Sequence, residues 1–270
     1  MPSSTSRSTD RRRATGSRFL PGRRPRRIAH RGFAPDGAEN TLRAFEAALD
    51  AGADMLETDV RATADGLALT VHDEDLQRVA GDPRRIDQLT AHEAGSVRLA
   101  GDEPLAMLED VLGTFVDVPV NVDIKASSAI GPAVAAIART RSAHRICLGG
   151  FDESVARKAV ATVRASTGVT PVRSPARRTV ASFYAARAVE APDAVIRRLL
   201  APYGALQVPL SYKGLPVATP ANIAAAHRVG CEVHVWTVND RVTMQNLLAS
   251  GVDGIITNRV DVLSELLDGE

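Results

Sequence analysis

Eight short aliphatic stretches, each followed after a brief gap by an amphipathic one, constrain this chain more than any single motif does. The strand candidates span residues 27–30, 55–60, 118–125, 146–151, 169–174, 206–210, 233–238 and 254–257. They are rich in β-branched and aliphatic residues and bounded by Gly, Pro, Asp or Asn. Between them lie helix candidates at 41–50, 105–116, 130–140, 153–167, 177–200, 220–229, 241–249 and 260–267. Thr219 before Pro220, and Asn239-Asp240, supply helix starts, while Gly52 and Gly251 stand where helix stops are expected. Strict alternation of this kind predicts a closed (β/α)8 TIM barrel. A doubly wound open sheet usually has fewer strands and a glycine-rich first turn, and His30-Arg31-Gly32-Phe33-Ala34-Pro35 is not a GxGxxG loop. One irregularity interrupts the pattern. Residues 67–71 read as an extra strand after the second, and 74–103 as a polar excursion with a short helix at 86–94, so a small insertion is expected there.

Charge is unevenly spread. The first 27 residues hold nine arginines and one acid, a surplus of eight, so a chain of net charge +1 carries −7 on residues 28–270. The segment 1–27 has too few apolar residues to offset its ordering entropy and reads as a disordered, solvated tail on one barrel domain, 28–270. No specific nucleic-acid partner is expected from it. No run of about 18 apolar residues is present, and Arg11–Arg13 are not followed by an apolar segment, so the expectation is a cytoplasmic protein. Cys147 and Cys231 lie in apolar strand-like runs and read as buried thiols.

The chemistry concentrates in 44 residues, from His30 to Asp73. Strand side chains alternate faces, so Glu57 and Asp59 point the same way, and Asp123 and Lys125 repeat that spacing on the next strand. Two carboxylates pressed against helices would be costly, whereas at an open strand end they can bind a cation. Glu57, Asp59 and Asp123 form a candidate three-ligand site for Mg2+ or Ca2+; the competing reading is a set of salt bridges, for example Asp123 with Arg31. His30 and His72 stand beside them as a candidate acid–base pair. Asn40 or Thr41 reads as an N-cap. Trp236, the only tryptophan, shares a strand face with His234 and lines the pocket or fills the barrel. His92, His144 and His227 read as surface residues.

Taken together, Ile28-Ala29-His30-Arg31-Gly32, Glu39-Asn40-Thr41, Gly52-Ala53-Asp54, Glu57-Thr58-Asp59-Val60, Asp65-Gly66 and His72-Asp73 resemble the N-terminal signature of the glycerophosphodiester phosphodiesterase family. The runs 121–125, 235–239 and 251–257 resemble its later blocks, so the similarity covers about residues 27–267. The resemblance implies a TIM barrel that uses a divalent metal and two histidines to cleave a small-molecule glycerophosphodiester to glycerol 3-phosphate and an alcohol. By position it makes His30 and His72 the proton-transfer pair and Glu57, Asp59 and Asp123 the metal ligands. Arg31 and Lys125 then hold the phosphate. Two departures stand out: Asp123 sits where the family often has Glu, and Leu76-Gln77-Arg78-Val79-Ala80-Gly81 replaces a Thr-containing motif. A relative acting on lipids, similar to sphingomyelinase D or lysophospholipase D, would present exposed apolar loops; at 4% aromatic residues none is expected. A non-catalytic barrel that binds phosphodiesters or nucleic acid is the third reading, against which the complete His and carboxylate set stands.

Overall fold

The computed structural model describes residues 19–35, 37–150, 152–212 and 214–269. Its eight barrel strands are β1 (Arg26–His30), β2 (Met55–Ala62), β3 (Val120–Ile124), β4 (Ile146–Gly149), β5 (Val172–Arg173), β6 (Ala205–Pro209), β7 (Glu232–Trp236) and β8 (Gly254–Thr257). They pair parallel in the order β5-β4-β3-β2-β1-β8-β7-β6. The remaining gap, between β5 and β6, is spanned by the Gly204 N–H donating to the Arg173 carbonyl at 3.0 Å. The result is a nearly closed TIM barrel, as expected.

Around it run α1 (Leu42–Asp50), α2 (Leu108–Thr114), α3 (Ile130–Arg139), α4 (Glu153–Thr167), α5 (Arg177–Ala188), α6 (Asp193–Leu200), α7 (Pro220–His227), α8 (Arg241–Ser250) and α9 (Val260–Asp268). Thr41, Asp152, Thr219 and Asp240 cap four of them, each accepting a backbone N–H with its side chain. The stretch expected as one helix at 177–200 is two: the first ends at Ala188, Glu190 turns through φ +50°, and Pro192, which offers no N–H, stands before the second.

The pleat sorts side chains into two layers. Outward-facing Ala29, Leu56, Val60, Val122 and Leu148 pack against Phe45, Ala48, Val111 and Ile137 of the helices. Leu206, Val208, Val233, Val235 and Ile255 do the same against Phe183, Ile196, Ile223 and Met244. Fully burying a side chain of this size stabilises by roughly 1.5–3 kcal/mol relative to exposure. The inward layer holds Ile28, Met55, Cys147, Ala205 and Ile256. Both cysteines are buried and neither forms a disulfide.

The tail boundary moves. Residues 19–27 belong to the barrel, while 1–18 lie outside the described residues. Phe19 and Leu20 are buried under the N-terminal end of the strands. Arg26, which counts as tail charge when the sequence alone is read, donates from Nε to Glu232 at 2.8 Å and from Nη2 to the Leu20 carbonyl at 2.6 Å. Glu232 also lies 3.0 Å from His234, whose ring meets Phe19 edge-on at 4.8 Å. The partners Arg26 and Glu232 are 206 residues apart, so no local pattern reveals them.

The insertion is present after β2. Residues Ala68–Thr70 pair antiparallel with β2, a small hairpin joins Asp75–Leu76 to Asp82–Arg85, and a helix spans Ala91–Ser96. The helix expected at 86–94 starts later because Thr90 and Glu93 form a reciprocal capping box. Leu69, Val71, Leu76, Ile86 and Leu89 give the insertion a core of its own.

Candidate active site

The C-terminal ends of the strands surround a cavity of about 500 Å3. His30, Arg31, Glu57, Asp59, His72, Asp123, Lys125 and Trp236, the full candidate set, all line it. Register explains the convergence: His30 pairs with Glu57 across β1 and β2, and Asp59 pairs with Asp123 across β2 and β3. Residues level in a parallel barrel and on the inward face must meet.

The turn after β1 is tightly constrained. Arg31 has φ +58° and Gly32 φ +85°, and a Cβ on Gly32 would lie 2.7 Å from the Ala44 backbone. That conformation aims the Arg31 N–H at the Glu57 carbonyl, 2.9 Å away, and at Glu57 Oε2, 3.2 Å away. Asn40, also at φ +59°, does not cap α1; Thr41 does. Asn40 instead accepts from Thr58 Oγ1 on its side chain and from Thr70 Oγ1 on its carbonyl, both at 2.8 Å, tying the β1 loop to β2 and to the insertion.

Two cations meet the three carboxylates. Asp59 lies 2.8 Å from Arg31 Nε and 2.7 Å from Lys125 Nζ, and Lys125 reaches Asp123 Oδ2 at 2.6 Å. The salt bridges weighed against a metal site are therefore formed, with Asp59 rather than Asp123 as the partner of Arg31. Burial would raise the Asp59 carboxyl, but Lys125 and Arg31 outweigh it and hold it below the usual range. Glu57 goes the other way: burial, then the charges of Asp59 and Asp123, push it well above. Asp123 is raised too, chiefly by burial, despite Lys125.

Among the described residues no three ligand-type side chains converge closely enough to form a finished metal cage. The donor set nevertheless fits a hard divalent cation. Asp123 Oδ1 is buried without a hydrogen-bond partner among the described residues, and the glycines beside it leave room, since a Cβ on Gly150 would stand 3.6 Å from that oxygen. Two buried carboxylates and one half-buried, facing two cations, also leave a charge that a hard, oxygen-binding ion neutralises.

The histidines enter from different elements. His30 ends β1, and its Nδ1 lies 2.7 Å from Asn258 Oδ1. Burial, then Arg31, lowers its pKa, against the opposing pull of Asn258 and Asp59. His72 follows Ala68–Thr70 in the insertion, with Nδ1 at 2.7 Å from Asp73 Oδ1. A carboxylate only accepts, so the proton sits on Nδ1 and Nε2 is left for chemistry. Sequence reading misses Asn258, Asn121 and Gln207; the last two line the cavity, and only their inward register marks them. His92 and His144 are exposed as expected; His227 pairs with Asp253 at 2.6 Å.

The opposite wall is mostly apolar: Pro175, Ala176, Val180, Ala181, Tyr184, Pro209, Tyr212 and Val217 line it with Trp236, and Ser174 and Arg177 are the polar groups among them. Beside it a two-stranded ribbon pairs Ser211–Tyr212 with Leu215–Pro216. Leu210, Tyr212 and Leu215 are 43%, 63% and 71% exposed. An exposed apolar loop, not expected from composition, therefore stands at the cavity mouth; the turn brings together residues that read as isolated in sequence.

A TIM barrel with a carboxylate, histidine and cation cluster at its C-terminal mouth defines a class of enzyme built for chemistry on a phosphate. Residues 30–262 match the model of the glycerophosphoryl diester phosphodiesterase family, and the chain belongs to that family. It is a phosphoric diester hydrolase. It is 36% identical over 247 residues, 89% of either chain, to "Probable glycerophosphodiester phosphodiesterase 2" of Mycobacterium tuberculosis. The structure of a glycerophosphodiester phosphodiesterase from Thermotoga maritima shares 26% identity at a TM-score of 0.67, covering 88% of this chain and 96% of that one. An Oleispira antarctica phosphodiesterase solved with the product sn-glycerol-3-phosphate shares the fold at a TM-score of 0.68 and 17% identity, covering 89% and 96%.

Proposed function

We propose that this chain hydrolyses glycerophosphodiesters to glycerol 3-phosphate and an alcohol, in a reaction that needs a divalent metal. The observation that carries the reading is the meeting of His30 and His72 with the carboxylate and cation cluster in one cavity. Glu57, Asp59 and Asp123 would hold Mg2+ or Ca2+, which supplies Lewis-acid polarisation of the phosphoryl oxygens when bound. Arg31 and Lys125 donate N–H bonds to the phosphate and oppose the charge that develops there. One histidine takes the proton of the attacking glycerol hydroxyl, the other gives a proton to the departing alcohol, and water then opens the cyclic phosphate. Asn258 and Asp73 hold each ring through Nδ1, which directs Nε2 to this work. Trp236 packs against the substrate from the facing wall. We place the reaction in the cytoplasm, on the support of two buried cysteines that form no disulfide. Among the described residues no helix is long and apolar enough to cross a membrane.

The test is turnover of glycerophosphoethanolamine by His30→Ala and His72→Ala. Each variant is expected to lose about 10²- to 10⁴-fold in kcat with its fold intact. Wild-type rates in both variants would remove the histidines from the chemistry.

A second reading rests on the apolar wall and the exposed ribbon. Both suit a substrate that carries one aliphatic chain, a lysolipid, alongside the small diesters. The human "Lysophospholipase D GDPD1" is 32% identical over 114 residues, 37% of this chain and 36% of its own length. Comparing kcat/KM for a lysophosphatidylethanolamine and for glycerophosphoethanolamine decides between them. A ratio well above one supports the lipid; a ratio well below one leaves the small diester alone.

A further inference from the structure

His72 differs from the other candidate groups in that it lies neither on a barrel strand nor directly after the end of one. It sits on the insertion, whose backbone pairs with β2 up to the Val71 N–H, which donates to the Asp59 carbonyl at 2.9 Å. Arg61 Nε donates to the His72 carbonyl at 2.8 Å, which fixes the backbone, and among the described residues the ring is oriented through Asp73. Asp73 is in turn held by Arg78 Nε at 2.5 Å, from the short helix Gln77–Ala80 of the same insertion. The other arm of that guanidinium, Nη2, donates to Glu39 Oε1 at 2.7 Å, in the loop between β1 and α1. Arg31 Nη1 reaches the same Glu39 oxygen at 2.9 Å.

We propose that Arg78 is a positioning residue that latches the insertion to the barrel and sets the His72 ring and the Arg31 guanidinium in one geometry. The chain runs Arg31, Glu39, Arg78, Asp73, His72, with charges alternating at each link up to Asp73. Neither Arg78 nor its two carboxylate partners lines the 500 Å3 cavity, so they act through His72 and Arg31 and not on the substrate. The planar fork matters: one guanidinium satisfies two carboxylates in fixed directions, which a lysine ammonium cannot do. Arg78 is 49% exposed, so its ion pairs add little to stability, and their value lies in orientation. His30 is held differently, by the side-chain amide of Asn258, and the Asn258 backbone N–H donates to Asn239 Oδ1 at 2.9 Å. One histidine is therefore fixed by neutral amides and the other by ions that reach the surface at Arg78, where salt screens them.

The inference rests on the proposed role of His72, and the experiment separates the two. Arg78→Ala, Arg78→Lys, Glu39→Gln and His72→Ala are assayed on glycerophosphoethanolamine, with kcat and KM resolved and melting temperatures recorded. Arg78→Ala is expected to lose about 10- to 100-fold in kcat, with KM within about threefold and a melting temperature close to wild type. Glu39→Gln is expected to lose kcat in the same sense, and Arg78→Lys to recover only part. Methylguanidinium is expected to restore part of the loss in Arg78→Ala and none in His72→Ala, against tetramethylammonium at equal ionic strength. Wild-type kcat in Arg78→Ala and Glu39→Gln beside a collapsed His72→Ala would overturn the latch and leave the His72 reading standing. An active His72→Ala would overturn the His72 reading itself. A loss of kcat matched by a loss of folded protein in Arg78→Ala, with no effect of Glu39→Gln, would make Arg78 structural and overturn the latch.

Discussion

The two ends of one barrel treat inward-facing charge in opposite ways. At the N-terminal end Arg26, Glu232 and His234 are buried beneath Phe19, and the Arg26 cation is paired with the Glu232 carboxylate. Burial alone would raise the Glu232 carboxyl, but hydrogen bonds from His234 and Arg26 outweigh it and bring it down to about 2. At the C-terminal end three carboxylates meet two cations, and Glu57 is pushed upward. The pleat and the strands are the same; the balance is reversed. A compensated cluster serves the fold. An uncompensated one costs stability and persists because it binds something.

The comparison is open to attack at both ends. The largest effect is expected from Glu57→Gln, which keeps the size of the side chain and removes its charge. Activity on glycerophosphoethanolamine should fall about a hundred- to a thousandfold, while calorimetry should find a melting temperature unchanged or higher, since a mutual repulsion is gone. At the other end, Glu232→Gln should reverse the pattern. It strands Arg26 in a buried site and should cost about 3–5 kcal/mol in denaturant unfolding, with turnover per folded molecule nearly unchanged.

The pH dependence of stability sharpens the same contrast. The folded pKa of Glu232 lies below its ordinary 4.5, so its contribution is present in full above that value and is lost as pH falls toward about 2. Acid titration of Glu232→Gln should lack that part of the wild-type loss. Smaller again is the change expected on the apolar wall. Ala181 is exposed on α5 and lines the cavity, so Ala181→Glu tests the wall without disturbing the core. It should cut kcat/KM for a lysolipid about tenfold relative to the unacylated diester, the cost of setting a charge against part of an aliphatic chain. An unchanged ratio would remove the wall from substrate choice.

How far the sequence reveals these features depends on how local each is. The barrel was legible because alternation of elements recurs along the whole chain. The carboxylates and Lys125 were legible because a spacing of two residues on successive strands places them on one face at one level, which the register bears out. Arg26 was not, since its partner Glu232 is 206 residues away and arginine in an arginine-rich run carries no sign of burial. The latch through Arg78 was hidden for a similar reason: Glu39 is 39 residues from it, and the insertion has to fold before they meet. The ribbon at the cavity mouth was missed because its apolar residues are interleaved with polar ones, so composition averages them away.

The most direct test of the account is glycerol 3-phosphate release from glycerophosphocholine and glycerophosphoethanolamine by protein stripped with EDTA, then restored with Mg2+ or Ca2+. The account predicts no release after stripping, recovery with one or both ions, and no recovery in Asp59→Asn or Asp123→Asn. Full release from the stripped protein, or no release with either ion, would contradict it.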